Sequence, residues 1–231
     1  MPRVRLGGAS FFAPVAIGGK IYVFVHNPGV VDIYDPATNT WALGATTGNL
    51  PVAIGPAVLD GRIYFFGNGA GAMYDPSTDT WTWRAPMASG RVEARGAVLG
   101  GKLYAFSGYE APVPCFDVLC SGARSDRLEV FDPATNTWTS RKSMPVNSQI
   151  TFADTLGGKL LIGVFGEDFT QTENFVHLYD PERNEWAVRA SVPLANSGLL
   201  PTPRALSVNG ALIAIFATAT LDRSAVFRFN Q

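Results

Sequence analysis

Side chains able to do chemistry are few in this chain of 231 residues, and they are spread widely. The two histidines, His26 and His177, stand far from each other and from the two cysteines, Cys115 and Cys120. A tetrahedral zinc site needs four such ligands brought together. No spacing here announces one, so neither a metal nor a cofactor is expected. The two cysteines, five positions apart, suit a disulfide within a loop in an oxidising compartment, or simply two small apolar side chains. No Gly-x-Ser-x-Gly elbow, His-Glu-x-x-His pair or phosphate-binding glycine loop occurs. A carboxylate pair assembled from distant segments would leave no local motif. The missing motifs therefore argue against an enzyme without excluding one.

The more suggestive groups are arginines. Arg95 and Arg204 each stand six residues before the second residue of a turn, Gly100-Gly101 and Asn209-Gly210 respectively. The equivalent place elsewhere holds Ala13, Gly55 and Phe152. Arg91 and Glu93 lie just upstream of Arg95. Guanidinium groups that converge on a cleft grip a carboxylate through paired hydrogen bonds. The plainer alternative is an Arg–Glu pair that holds adjacent structural units together. His26 starts a loop and is the better candidate of the two histidines. Two loops complete the candidate list. One contains Tyr109, Glu110 and Phe116. The other, Glu167–Glu173, contains Glu167 and Asp168 and is read as solvated charge or a polar binding rim; its spacing matches no calcium loop.

The elements that position these groups come from a repeat. Four segments align: Ile33-Tyr34-Asp35-Pro36-Ala37-Thr38-Asn39-Thr40-Trp41, Met73-Tyr74-Asp75-Pro76-Ser77-Thr78-Asp79-Thr80-Trp81, Val130-Phe131-Asp132-Pro133-Ala134-Thr135-Asn136-Thr137-Trp138 and Leu178-Tyr179-Asp180-Pro181-Glu182-Arg183-Asn184-Glu185-Trp186. Each is preceded by a glycine turn opening a strand: Gly18-Gly19-Lys20-Ile21-Tyr22, Asp60-Gly61-Arg62-Ile63-Tyr64, Gly100-Gly101-Lys102-Leu103-Tyr104 and Gly157-Gly158-Lys159-Leu160-Leu161. A fifth turn, Asn209-Gly210-Ala211-Leu212-Ile213, has no tryptophan after it. The spacing predicts four antiparallel strands per unit. Gly-Gly or Asp-Gly makes the first hairpin, because those residues accept positive φ. Asp-Pro-x-Thr-Asn makes the second, with Asn or Asp at 39, 79, 136 and 184 in a left-handed conformation. Such a meander cannot bury both its faces alone, whereas stacked copies around an axis can. Trp41, Trp81, Trp138 and Trp186 are therefore assigned to packing between units rather than to sugar stacking.

The Gly-Gly-Lys-Ile-Tyr hairpin followed by Tyr-Asp-Pro-x-Thr-Asn-Thr-Trp, repeated at a spacing near 50, resembles the kelch repeat. The resemblance implies an all-β, kelch-type β-propeller of about five four-stranded blades, the last incomplete. Residues 1–231 then form one domain with units at roughly 1–45, 46–87, 88–144, 145–192 and 193–231. The glycine pair that usually closes the second strand is eroded here, and the arginine of the linkers is kept only in places, as at Arg5 and Arg91. Most members of this family are protein-interaction modules. The copper-radical oxidases among them need a Tyr, His and Cys ligand set that two histidines do not supply. Kelch-like sialic-acid mutarotases are the precedent for a small acidic ligand at the channel mouth. The fifth unit lacks its outer strand, which leaves an edge open to self-association.

Composition narrows the partners. Charged residues are 16% of the chain and the formal net charge is −1, with no block of like charge, so a nucleic-acid partner is not expected. No apolar run approaches the about 20 residues needed to span a bilayer, and no secretory leader is visible. The expected location is solution, in a compartment the sequence does not name. From the glycine turn to the aromatic of Tyr-Asp-Pro, the third unit runs from 101 to 131, longer than the corresponding stretch of any other unit. A long loop on a rigid scaffold suits recognition. The expected function is thus a non-enzymatic binding module for a protein or a small polar ligand, with an acidic-sugar site at the channel mouth as the alternative.

Overall fold

The computed structural model describes residues 14–25, 29–48, 50, 54–67, 69–110, 122–147, 150–164, 173–193, 204–208, 211–217 and 224–229. Blade one holds β1 (Val15–Ile17), β2 (Lys20–Val25), β3 (Val30–Asp35) and β4 (Thr40–Leu43). Blade two holds β5 (Ile54–Leu59), β6 (Arg62–Gly67), β7 (Ala70–Asp75) and β8 (Thr80–Arg84). A short strand β9 (Arg91–Val92) precedes blade three, which consists of β10 (Arg95–Leu99), β11 (Lys102–Phe106), β13 (Leu128–Asp132) and β14 (Thr137–Arg141). Between β11 and β13 lies β12 (Tyr109–Glu110), paired with β9. Blade four holds β15 (Ile150–Leu156), β16 (Lys159–Val164), β17 (Glu173–Asp180) and β18 (Glu185–Pro193). Blade five has three strands, β19 (Arg204–Val208), β20 (Ala211–Ala217) and β21 (Ser224–Phe229). All pairings are antiparallel, and the first strands of blades two to five lie in series, β5 beside β10, β10 beside β15 and β15 beside β19. Among the described residues the fold is all-β with an incomplete last blade.

Local chemistry explains the hairpins. Gly100 and Gly101 take φ of 58° and 70°, the left-handed pair a two-residue turn demands. Asn39, Asp79, Asn136 and Asn184 take φ of 54°, 52°, 56° and 54°, where short polar side chains are tolerated. The aspartate of each Asp-Pro turn accepts the backbone N–H two residues on, as Asp132 does from Ala134 at 2.9 Å. Its other oxygen faces the basic residue of the glycine hairpin: Lys102 at 2.9 Å from Asp132, Arg62 at 2.9 Å from Asp75, and Lys159 beside Asp180.

The core lies between blades. Phe66 of blade two meets Phe131 and Trp138 of blade three, with ring centroids 4.9 and 4.8 Å apart. Phe24 meets Phe65 in the same way across blades one and two, at 4.8 Å. Polar groups complete the junction in a repeated clasp. The side-chain oxygen of Asp79, Asn136 and Asn184 accepts the N–H of Ala45, Ala85 and Lys142 at 2.7, 3.1 and 2.9 Å. The indole N–H of Trp81, Trp138 and Trp186 donates to the carbonyl of that same residue at 2.9, 3.0 and 2.8 Å. Each clasp therefore grips both polar groups of one residue, four positions beyond the previous blade's tryptophan. Trp81, Trp138 and Trp186 join blades, as their recurrence implied.

Candidate functional site

The longest excursion of the chain leaves β11 and returns at β13, and its base is a built structure. Ser107 (φ 57°) and Gly108 (φ 92°) turn the chain out of blade three. A Cβ on Gly108 would stand 2.7 Å from the Val92 carbonyl oxygen and 2.9 Å from the Ala94 nitrogen, so the backbone approach requires glycine. Tyr109 and Glu110 then pair with Val92 and Arg91. On the return limb the Glu110 N–H bonds the Ala123 carbonyl and the Ser125 N–H bonds the Gly108 carbonyl, both at 2.9 Å. The Arg124 guanidinium lies 5.9 Å from the centre of the Tyr109 ring. Arg127 donates to Glu110 at 3.0 Å on the exposed side of the stem.

Arg91 sits beneath this stem, fully buried. Its Nη1 donates to the carbonyls of Ser107 at 3.2 Å and Arg127 at 2.8 Å, the residues where the excursion begins and ends. Its Nη2 donates to Glu129 Oε2 at 2.6 Å. Glu129, on β13, is buried as well and also accepts from the Ser89 hydroxyl at 2.8 Å. Burial pushes the guanidinium pKa down from its ordinary value, and the facing Glu129 carboxylate opposes that shift. Such a pair contributes little net stability over an apolar pair but fixes geometry, because either charge alone would be intolerable there. One side chain thus ties the linker into blade three and both ends of the excursion to the blade.

The other sequence candidates fall in different places. Arg91 is paired with Glu129 of its own blade, not with Glu93. Glu93 is exposed and takes φ 55° in the turn from β9 to β10. Arg95 is exposed at the first position of β10, opposite Phe106. Arg204 begins β19 opposite Ile215, the equivalent register in blade five. Tyr109 and Glu110 belong to the stem. His26, Phe116, Glu167, Asp168, Cys115 and Cys120 lie outside the described residues. His177 is buried on β17. Sequence reasoning passed over Glu129, although a lone acid within the apolar run Leu128-Glu129-Val130-Phe131 was a legible signal of a buried partner. Among the described residues no cluster of three or more His, Cys, Asp or Glu could hold a metal ion, and no helix is long and apolar enough to cross a membrane.

A family model described as the kelch motif matches residues 90–145, the span that runs from Arg91 through the stem to the end of blade three. Over those residues the chain is similar to the kelch motif, within an all-β fold of four-stranded antiparallel blades. No curated protein matches it. Among solved structures, one titled "Structure of YjhT" superposes with a TM-score of 0.63 at 17% identity, covering 93% of this chain and 82% of that one. At that identity the likeness establishes the architecture alone.

Proposed function

We propose that this kelch protein is a non-enzymatic binding module that works through the blade-three excursion. The observation that carries this reading is the buried Arg91, which fastens both ends of the excursion to Glu129. A loop of this length held at its base by a desolvated, charge-assisted network presents its tip on a fixed platform, which lowers the ordering cost of binding. The kelch fold, whose family is rich in interaction modules, supports the same reading. To test it, residues 111–121 are replaced by a short Gly-Ser linker, leaving the stem intact. The variant is expected to lose every partner that the unaltered protein binds directly in purified form, with its melting transition unchanged. Retained affinity at an unchanged melting transition would overturn the proposal.

A second reading has one observation in its favour. Arg95 and Arg204 occupy equivalent positions at the start of first strands, and Arg95 is exposed. Two arginines at these equivalent strand positions would suit a small carboxylate ligand such as an acidic sugar. A thermal-shift screen of sugar acids separates the two readings, since ligand at 100 times its Kd adds about 2.7 kcal/mol. A shift that vanishes in Arg95→Ala would favour the channel mouth over the excursion.

A further inference from the structure

His177 occupies in blade four the position that Glu129 occupies in blade three. Each stands two residues before the aromatic of the Asp-Pro turn, and each pairs with the fourth residue after the hairpin glycine, Ile162 or Ala105. Each also faces the residue two beyond the tryptophan, Val188 or Ser140. In blade three this position anchors the incoming linker through Ser89 and Arg91. In blade four the linker reads Met144-Pro145-Val146-Asn147-Ser148, with Val146 in place of the serine and Ser148 in place of the arginine.

His177 is 4% exposed, and among the described residues neither ring nitrogen has a hydrogen-bond partner. It lines a cleft formed by Met144, Pro145 and Val146 of the linker, Ile162 and Val164 of β16, and Trp186 of β18. Both ring nitrogens are shielded from solvent. Among the described residues no acidic, basic or other titratable side chain lines it from any of these elements. A neutral imidazole is tolerated there as a mostly apolar ring. An imidazolium would bring a net charge and two N–H donors into a site where the described residues offer no acceptor.

We infer that His177 is an acid-operated latch on the linker between blades three and four: neutral, it closes the cleft over Met144–Val146; protonated, it leaves the cleft and releases the linker. The release reaches the blade-three stem, because the Met144 N–H holds the Asp126 carbonyl at 2.7 Å on the return limb of the excursion. Burial lowers the imidazole pKa, and no partner charge offsets that effect. The sign follows. The unfolded or opened chain binds the proton more readily, so the closed state is fully favoured above the ordinary imidazole value of about 6.5 and loses ground as the pH falls below it.

The test is amide hydrogen exchange at Lys142–Asn147, corrected for intrinsic rates, at pH 7.5 and 5.5, in the unaltered protein and in His177→Phe. Protection in the unaltered protein is expected to fall at the lower pH by up to about tenfold, because pH 5.5 lies about one unit below the ordinary imidazole value at which the opened chain takes up the proton. The variant should hold its protection at both values. Equal pH dependence in the two proteins would overturn the latch. If His177→Phe does not fold, NMR titration of the His177 ring in the unaltered protein decides. A midpoint below that of a free imidazole supports the proposal, and a midpoint at or above it refutes it.

Discussion

The linkers into blades three and four occupy the same place in successive repeats and are held by opposite means. Both bury a methionine, Met87 and Met144, each 4% exposed, so the two run in the same register. Four residues after Met87 stands Arg91, and the strand position beneath it is Glu129. That linker is locked by a desolvated ion pair with two further hydrogen bonds to the loop above. Four residues after Met144 stands Ser148, and the strand position is His177, whose ring nitrogens find no hydrogen-bond partner among the described residues. The blade framework requires only that the position be filled. What fills it decides whether the junction is fastened or merely packed. The fastened one lies under the excursion assigned to binding, where a fixed platform is useful.

The largest effect should come from breaking the fastened side. Glu129→Ala leaves the Arg91 guanidinium buried without a counter-charge, and about 3–5 kcal/mol of stability should be lost. Urea unfolding measures this; a loss under about 1 kcal/mol would show the site to be wetter and softer than a buried pair allows.

Next come the clasps, which both junctions share. Asn136→Ala removes one hydrogen bond and places alanine, which tolerates left-handed backbone less well than asparagine, at φ 56°, at a cost of about 2 kcal/mol. Asn184→Ala should cost about 1 kcal/mol more, because Asn184 also accepts the Tyr179 hydroxyl at 2.7 Å and that buried hydroxyl would lose its partner. Blade three has Phe131 in place of that tyrosine and has no such bond to lose. Equal losses in the two variants would show that the tyrosine hydroxyl contributes nothing at the junction.

The smallest effect is expected at the rim of the stem. Glu110→Ala breaks the exposed pair with Arg127 and should cost less than about 1 kcal/mol, shrinking further as salt is raised. A larger, salt-independent loss would mean that the outer pair, rather than Arg91, holds the excursion.

Much of the blade was legible in the residues because its determinants are local. A glycine pair in left-handed backbone, an Asp-Pro turn and an Asn or Asp five residues after an aromatic each act over a few positions, and sterics permit few alternatives. The tryptophans were legible through recurrence, since a residue repeated in every unit serves the stacking of units. The stem was only partly legible. Arg91, Tyr109 and Glu110 were singled out, yet the residue that Arg91 meets was not named. It lies 38 positions away at Glu129.

The amino-acid sequence alone determined the strands, the hairpins and the aromatic joints between blades. Tertiary structure alone decided which charges meet and which polar group is left without a partner. The physical reason is range. Backbone geometry is settled by neighbours along the chain, whereas the worth of a carboxylate, a guanidinium or an imidazole depends on how much water is removed from around it. That depends on segments that converge only when the blades have closed on one another.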